Sequence, residues 1–262
     1  MNLGLDGRCA LVLAATRGLG RAAARALAAE GARVAITGSD LSRAEAAAAE
    51  IAAETGATVV GVAGDMMAEG IEAVVDQVEA ALGPVEILVL NHPGPALGVA
   101  AEIDLDGLPT QFRMIVSNPI ALVRRTMPAM REKGFGRILA TSGGSLVNPL
   151  PNKVMDNTLR PAIAGYLKAL SNEIAADGVT VNIIIPGTFV TERVHASTKA
   201  NAGLDGITVE EAMRRRLAGI PAGRFGELDA EFGATVAFLC GAGASYINGS
   251  IVRCDGGQVR SL

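Results

Sequence analysis

Short, unbroken apolar runs alternate along this chain with longer stretches in which apolar residues recur every three or four positions. The runs at 9–13, 33–37, 58–62, 86–90, 137–141, 180–185 and 250–254 read as strands. Their lack of polar alternation marks strands that are covered on both faces. The periodic stretches at 20–30, 41–55, 70–82, 108–133, 155–176 and 230–240 read as helices. Strand and helix in steady alternation predict an α/β fold with a doubly wound, seven-stranded parallel sheet. No repeat or linker divides the chain, so residues 1–262 read as a single domain. One stretch breaks the rhythm: an irregular insertion at about 188–224, carrying Glu192, Arg193, His195, Lys199 and Arg214 to Arg216. Following a strand's carboxyl end, it stands where a lid over a site would lie.

Composition narrows this picture. Only 19% of the residues are charged, below the ~25% usual for soluble domains. The apolar surplus predicts that part of the exterior is buried between subunits. A net charge of −4 leaves no basic footprint for nucleic acid. Cys9, Cys240 and Cys254 form no metal or redox spacing, and their odd number argues against a disulfide framework. The uncharged run 232–252 is long enough to span a membrane, but Gly233, Gly241, Gly243, Asn248 and Gly249 break it into helix, turn and strand. The start, MNLGLDGR, carries Asp6 and has no apolar core, so a cytoplasmic location is expected.

The candidate chemistry begins at Leu11–Arg21, LVLAATRGLGR. An apolar strand ends in small residues, and Gly18 and Gly20 then open an alanine-rich helix. Such a turn aims free backbone N–H groups and the positive helix end at a phosphate. The glycines let backbone and pyrophosphate approach, and let helix and strand pack closely, as in a Rossmann fold. An ordinary strand-to-helix turn gives the same pattern, so the downstream residues matter.

Those residues resemble the short-chain dehydrogenase/reductase family over nearly the whole chain. Leu13 to Gly20, through Ala14, Ala15, Thr16, Arg17, Gly18 and Leu19, is similar to the family's TGxxxGxG. Asp65, followed by Met66, resembles the acidic residue beside the adenine. Asn91-His92-Pro93-Gly94 stands where the family has NNAG. Pro186, Gly187, Phe189 and Thr191 resemble the PGxxxT that receives the nicotinamide end. The tail from Ile220 to Gly257 is similar to that of 3-oxoacyl-carrier-protein reductases. The resemblance implies a nicotinamide cofactor, a small-molecule substrate and a homotetramer or homodimer. An NAD-selective site usually carries a carboxylate at the end of the second strand. Gly38 and Ser39 stand there instead, and Arg17 suits a 2′-phosphate, so NADP is expected over NAD, with Asp40 arguing the other way. Ala14 in place of the first family glycine restricts the backbone of the turn.

The family's proton chemistry uses an asparagine, a serine, a tyrosine and a lysine one helical turn after the tyrosine. Without gaps these positions fall on Ile115, Gly143, Asp156 and Arg160. Ser142 and Asn118 lie close to the serine and asparagine positions. Asp156 and Arg160 are either a replacement pair, with Asp156 as general acid and Arg160 on the ribose, or an i,i+4 salt bridge. His92 lies at the end of the fourth strand and titrates near neutrality in water, so it is a proton donor or a polar turn residue. Three functions stay open: an oxidoreductase with another proton source, a nucleotide-binding scaffold without turnover, and a lyase or hydrolase using the vacated nicotinamide pocket.

Overall fold

The computed structural model describes residues 2–261. Seven parallel strands form one sheet in the order β3-β2-β1-β4-β5-β6-β7. They are β1 Cys9–Val12, β2 Arg33–Gly38, β3 Val59–Ala63, β4 Ile87–Leu90, β5 Gly136–Thr141, β6 Val179–Pro186 and β7 Ile251–Cys254. Each falls on an expected run. Their residues alternate between two cores: Cys9, Leu11 and Leu13 face one side of the sheet, Ala10 and Val12 the other. That is why β1 is buried along its length and carries no polar residue.

The helices α1 Gly18–Ala29, α2 Leu41–Thr55 and α9 Ala234–Cys240 contribute to the second core. The helices α3 Ala73–Leu82, α5 Asn118–Glu132 and α6 Val154–Glu173 contribute to the first. The strand order reverses between β1 and β4, which opens a crevice at the carboxyl ends of these two strands. The glycine turn and Asn91-His92 therefore share one cleft.

Two expectations are corrected. The helix expected at 108–133 is broken into α4 Leu108–Phe112, a π-helical turn Arg113–Ser117 and α5. Pro119 has no N–H to offer the Ile115 carbonyl, and the widened turn absorbs the mismatch, with the Asn118 N–H reaching the Arg113 carbonyl. The insertion at 188–224 is largely helical: α7 Glu192–Asp205 and α8 Val209–Ala218. Thr191 and Thr208 cap them by accepting from the Val194 and Glu211 N–H groups at 3.2 and 3.1 Å. In α7 the apolar residues are not gathered on one face, so periodicity missed a helix that its cap begins.

Candidate functional site

The turn after β1 sets the geometry. Ala14 takes a left-handed φ of 47°, where an alanine is strained, and Gly18 takes 56°. The Ala14 N–H donates to Thr37 Oγ1 at 3.0 Å, and its carbonyl accepts from Asn91 Nδ2 at 3.1 Å. Asn91 thereby fastens the end of β4 to the turn. A Cβ on Gly20 would stand 2.6 Å from the Ala14 carbonyl oxygen and 2.8 Å from Asn91 Nδ2. Only glycine fits there. Arg17 precedes α1 without giving its first turn a side-chain cap, and that turn holds no acidic residue. By contrast, Asp40 caps α2 through the Arg43 N–H at 2.8 Å. The N–H groups at the start of α1 are thus free for a phosphate, and the cleft fits a dinucleotide.

Around this turn lie the other expected contacts. Thr16 is half-buried, and a Cβ on Gly38 would come within 2.6 Å of its methyl group. A carboxylate side chain at Gly38 has no room without moving Thr16. Ser39 is exposed beside them, and Leu19 packs half-buried on the core. Asp65 is exposed and accepts from the Met67 N–H at 2.9 Å. The Met66 carbonyl accepts from Asn118 Nδ2 at 2.8 Å, and Ala68 receives a second bond from the same amide at 2.7 Å. Asn118 therefore anchors the loop after β3 and is spent there. The Gly187 N–H donates to the Cys254 carbonyl at 2.9 Å just after Pro186 ends β6, and a Cβ on Gly18 would lie 3.5 Å from the Thr191 methyl.

Phe189, in the same stretch, turns its ring inward. It packs edge-on against Phe232, with centroids 5.7 Å apart, and is buried. Its side chain belongs to the core. Arg17 holds a further surprise, an ion pair to Glu192 at the start of α7. The pair clasps the glycine turn to α7, a contact across 175 residues that no local pattern announces.

On α6, Asp156 and Arg160 face each other from one turn apart, with Arg160 Nε 2.5 Å from Asp156 Oδ1. Asp156 is 2% exposed and Arg160 8%, so this is a buried pair. Arg160 Nη1 also points at Ser142 Oγ, 3.4 Å away, which draws Ser142 into the same group. His92 accepts from the Gly94 N–H at Nδ1, 3.0 Å away. Enclosure by protein, with the Arg160 and Arg193 charges nearby, holds its pKa well below the usual histidine value. The expectation that His92 titrates near neutrality is corrected: at pH 7 it is a neutral ring. His195 is exposed on α7. Behind these side chains a cavity of about 20 Å³ is lined by Asn91, His92, Ile115, Pro119, Ser142 and Arg160, among others. It has room for one water.

Lys153, at the entry to α6, was missed in the sequence. Burial lowers its pKa, with the positive charges of Arg193, Arg160 and Arg216 adding to the effect and Asp156 opposing it. Its place three residues before Asp156, nearly one helical turn away, was the available signal. Among the described residues no helix is long and apolar enough to cross a membrane.

A family model described as enoyl-(acyl carrier protein) reductase matches residues 13–258. The chain is 28% identical over 257 residues to the NADPH-dependent reductase BacG of Bacillus subtilis, covering 97% of this chain and 99% of that protein. It is 32% identical over 260 residues to the 3-oxoacyl-[acyl-carrier-protein] reductase FabG of Salmonella typhimurium, covering 98% and 99%. Among solved structures, L-sorbose reductase of Gluconobacter frateurii, complexed with NADPH and L-sorbose, superposes with a TM-score of 0.93 at 28% identity, and each chain is fully covered.

Proposed function

Because this chain belongs to the short-chain dehydrogenase/reductase family, we propose that it is an NADP(H)-dependent oxidoreductase whose proton comes from a source other than a tyrosine and lysine on α6. The observation that carries this reading is the glycine turn with the uncapped start of α1, closed from the β4 side by Asn91. NADP(H), when bound, supplies or accepts the hydride.

The choice of NADP over NAD rests on three residues. Gly38 leaves no room for a ribose-binding carboxylate, and Asp40 is occupied in capping α2 and stands 3.7 Å from Arg43. Arg17 lies at the turn with its guanidinium exposed. It holds a 2′-phosphate once Glu192 releases it. Calorimetry is expected to give tighter binding of NADPH than NADH, and Arg17→Ala to narrow the gap. Glu192→Gln, by freeing Arg17, is expected to tighten NADPH a few-fold. Equal affinity for the two nucleotides in the wild type would reject the preference for NADP.

The proposed replacement of the catalytic set rests on the alignment of Asp156 and Arg160 with the tyrosine and lysine positions, and on their burial as a pair. Arg160 stays charged and contributes position and electrostatics, not a proton. His92, neutral with Nδ1 accepting, presents an Nε2–H as a hydrogen-bond donor. Reduction of acetoacetyl thioesters is therefore expected to be very slow. Rates equal to those of an ordinary carrier-protein reductase would overturn the alignment of α6. The second reading, nucleotide binding without turnover, is favoured by the same buried pair, and gains if NADPH binds but no carbonyl, imine or activated alkene oxidises it.

A further inference from the structure

Four cations gather beside the cleft from three segments: α6 with its entry residue, α7 and α8. The loop after β4 is tied to the entry of α6: the Gly98 N–H donates to the Asn152 carbonyl and the Val154 N–H to the Gly98 carbonyl, each at 3.1 Å. Lys153 sits between those two bonds. Arg193, from the start of α7, lays its guanidinium so close to Gly94 of the same loop that a Cβ there would lie 1.7 Å from Nη1. Arg216, from α8, reaches back to α7, with Nη2 3.5 Å from Ser197 Oγ. Arg160 completes the group from within α6. Lys153 lies in charge–charge range of Arg193, Arg160 and Arg216.

The negative charge near both Lys153 and Arg193 is that of Asp156, and Asp156 is already paired with Arg160. Among the described residues, Lys153, Arg193 and Arg216 make no ion pair. Elsewhere the protein pairs its arginines freely, as Arg21 and Arg25 do with Glu54 and Arg224 with Glu231. Lys153 and Arg216 are half-buried and Arg193 is exposed, and clustered cations repel one another and cost stability unless an anion joins them. An anion entering here gains attraction from all of them, most strongly from those least exposed to water.

We propose that the substrate carries an oxyanion, a carboxylate or a phosphate, held by Lys153 and Arg216 with Arg193 reaching over from the lid. This rests on the oxidoreductase reading and names its substrate class. Arg193 lies two residues beyond Thr191, so a rival role for the group is to neutralise cofactor phosphate. The experiment separates the two.

Calorimetry on the NADP⁺-loaded protein avoids turnover, since no hydride is available to a carbonyl compound. The probes are acetoacetate, its neutral methyl ester and 2-oxopropyl phosphate. At least one anion is expected to bind about tenfold or more tightly than the ester, and the tighter of the two anions identifies the headgroup. Lys153→Met and Arg216→Met are each expected to remove most of that preference while leaving the ester and NADP⁺ affinities unchanged. Lys153→Arg keeps the charge and is expected to keep the preference, which separates lost charge from lost folding. Equal binding of charged and neutral probes, or no binding of any probe, would overturn the proposal. So would variants that weaken NADP⁺ or the ester as much as the anions, the result the cofactor role requires. If NADP⁺ itself fails to bind, the oxidoreductase reading falls, and the same titration without nucleotide still tests the anion site.

Discussion

At Asp156 and Arg160 two opposite charges share one turn of α6 with almost no access to water. Removing one partner strands the other, at a cost of about 3–5 kcal/mol. Asp156→Ala is expected to show that loss in urea unfolding, and Asp156→Leu with Arg160→Met to recover most of it. His92 gives a pH signature. Its folded pKa lies below the unfolded value of ~6.5, so the unfolded chain takes up the proton first. Its contribution is fully present above pH ~6.5 and is lost as the pH falls below that. His92→Gln is expected to flatten that part of the stability profile. Ala14 carries strain at φ 47°. Ala14→Gly is expected to stabilise by up to about 1 kcal/mol, the released strain less the added chain entropy.

The start of α1 is the element on which our proposed nucleotide binding rests, and its closeness to β1 is fixed at Gly20. Gly20→Ala would push a methyl into the Ala14 carbonyl and the Asn91 amide. Loss of about 1–3 kcal/mol of stability is expected from such overpacking, together with a large loss of NADPH affinity. Calorimetry beside urea unfolding checks both. In the helix after β4, the π turn at Arg113–Ser117 leaves Ile115 and Pro119 lining the cavity beside His92 and Arg160. A crystal structure with ordered solvent is expected to place one water there, bonded to the polar groups of that wall. A cavity found dry at high resolution would remove water as part of the proton path.

Across the whole molecule, most of the large apolar side chains left exposed fall in two stretches of the described residues. Tyr246 and Ile251 with Phe238 lie exposed near the tail, and Leu97, Val99, Leu105 and Phe112 on the stretch leading into α4 and within it. With the low charge content, these faces motivate our expectation of a homotetramer. Light scattering at micromolar concentration is expected to give four times the 26.7 kDa chain mass. Tyr246→Asp with Ile251→Asp is expected to lower it. A monomer mass for the wild type would rule the assembly out.

All seven strands and the glycine turn were legible in the sequence, because each rests on local signals. Apolar runs mark buried strands, and a glycine pair marks a turn that only a Cβ-free backbone can make. The Asp156–Arg160 pair was also legible as one of two alternatives, since i,i+4 spacing puts both on one helix face. The helices of the insertion escaped because α7 gathers its apolar residues on no one face and α8 is short with no buried residue, and each begins at a threonine cap, Thr191 and Thr208. What only the tertiary structure decided concerns groups far apart in the chain. Glu192 is brought onto Arg17, Phe232 onto Phe189, and Arg193 onto Gly94. The protonation of His92 belongs with them. A side chain's own chemistry states where it titrates in water; burial and the cations that folding collects around it decide where it titrates here.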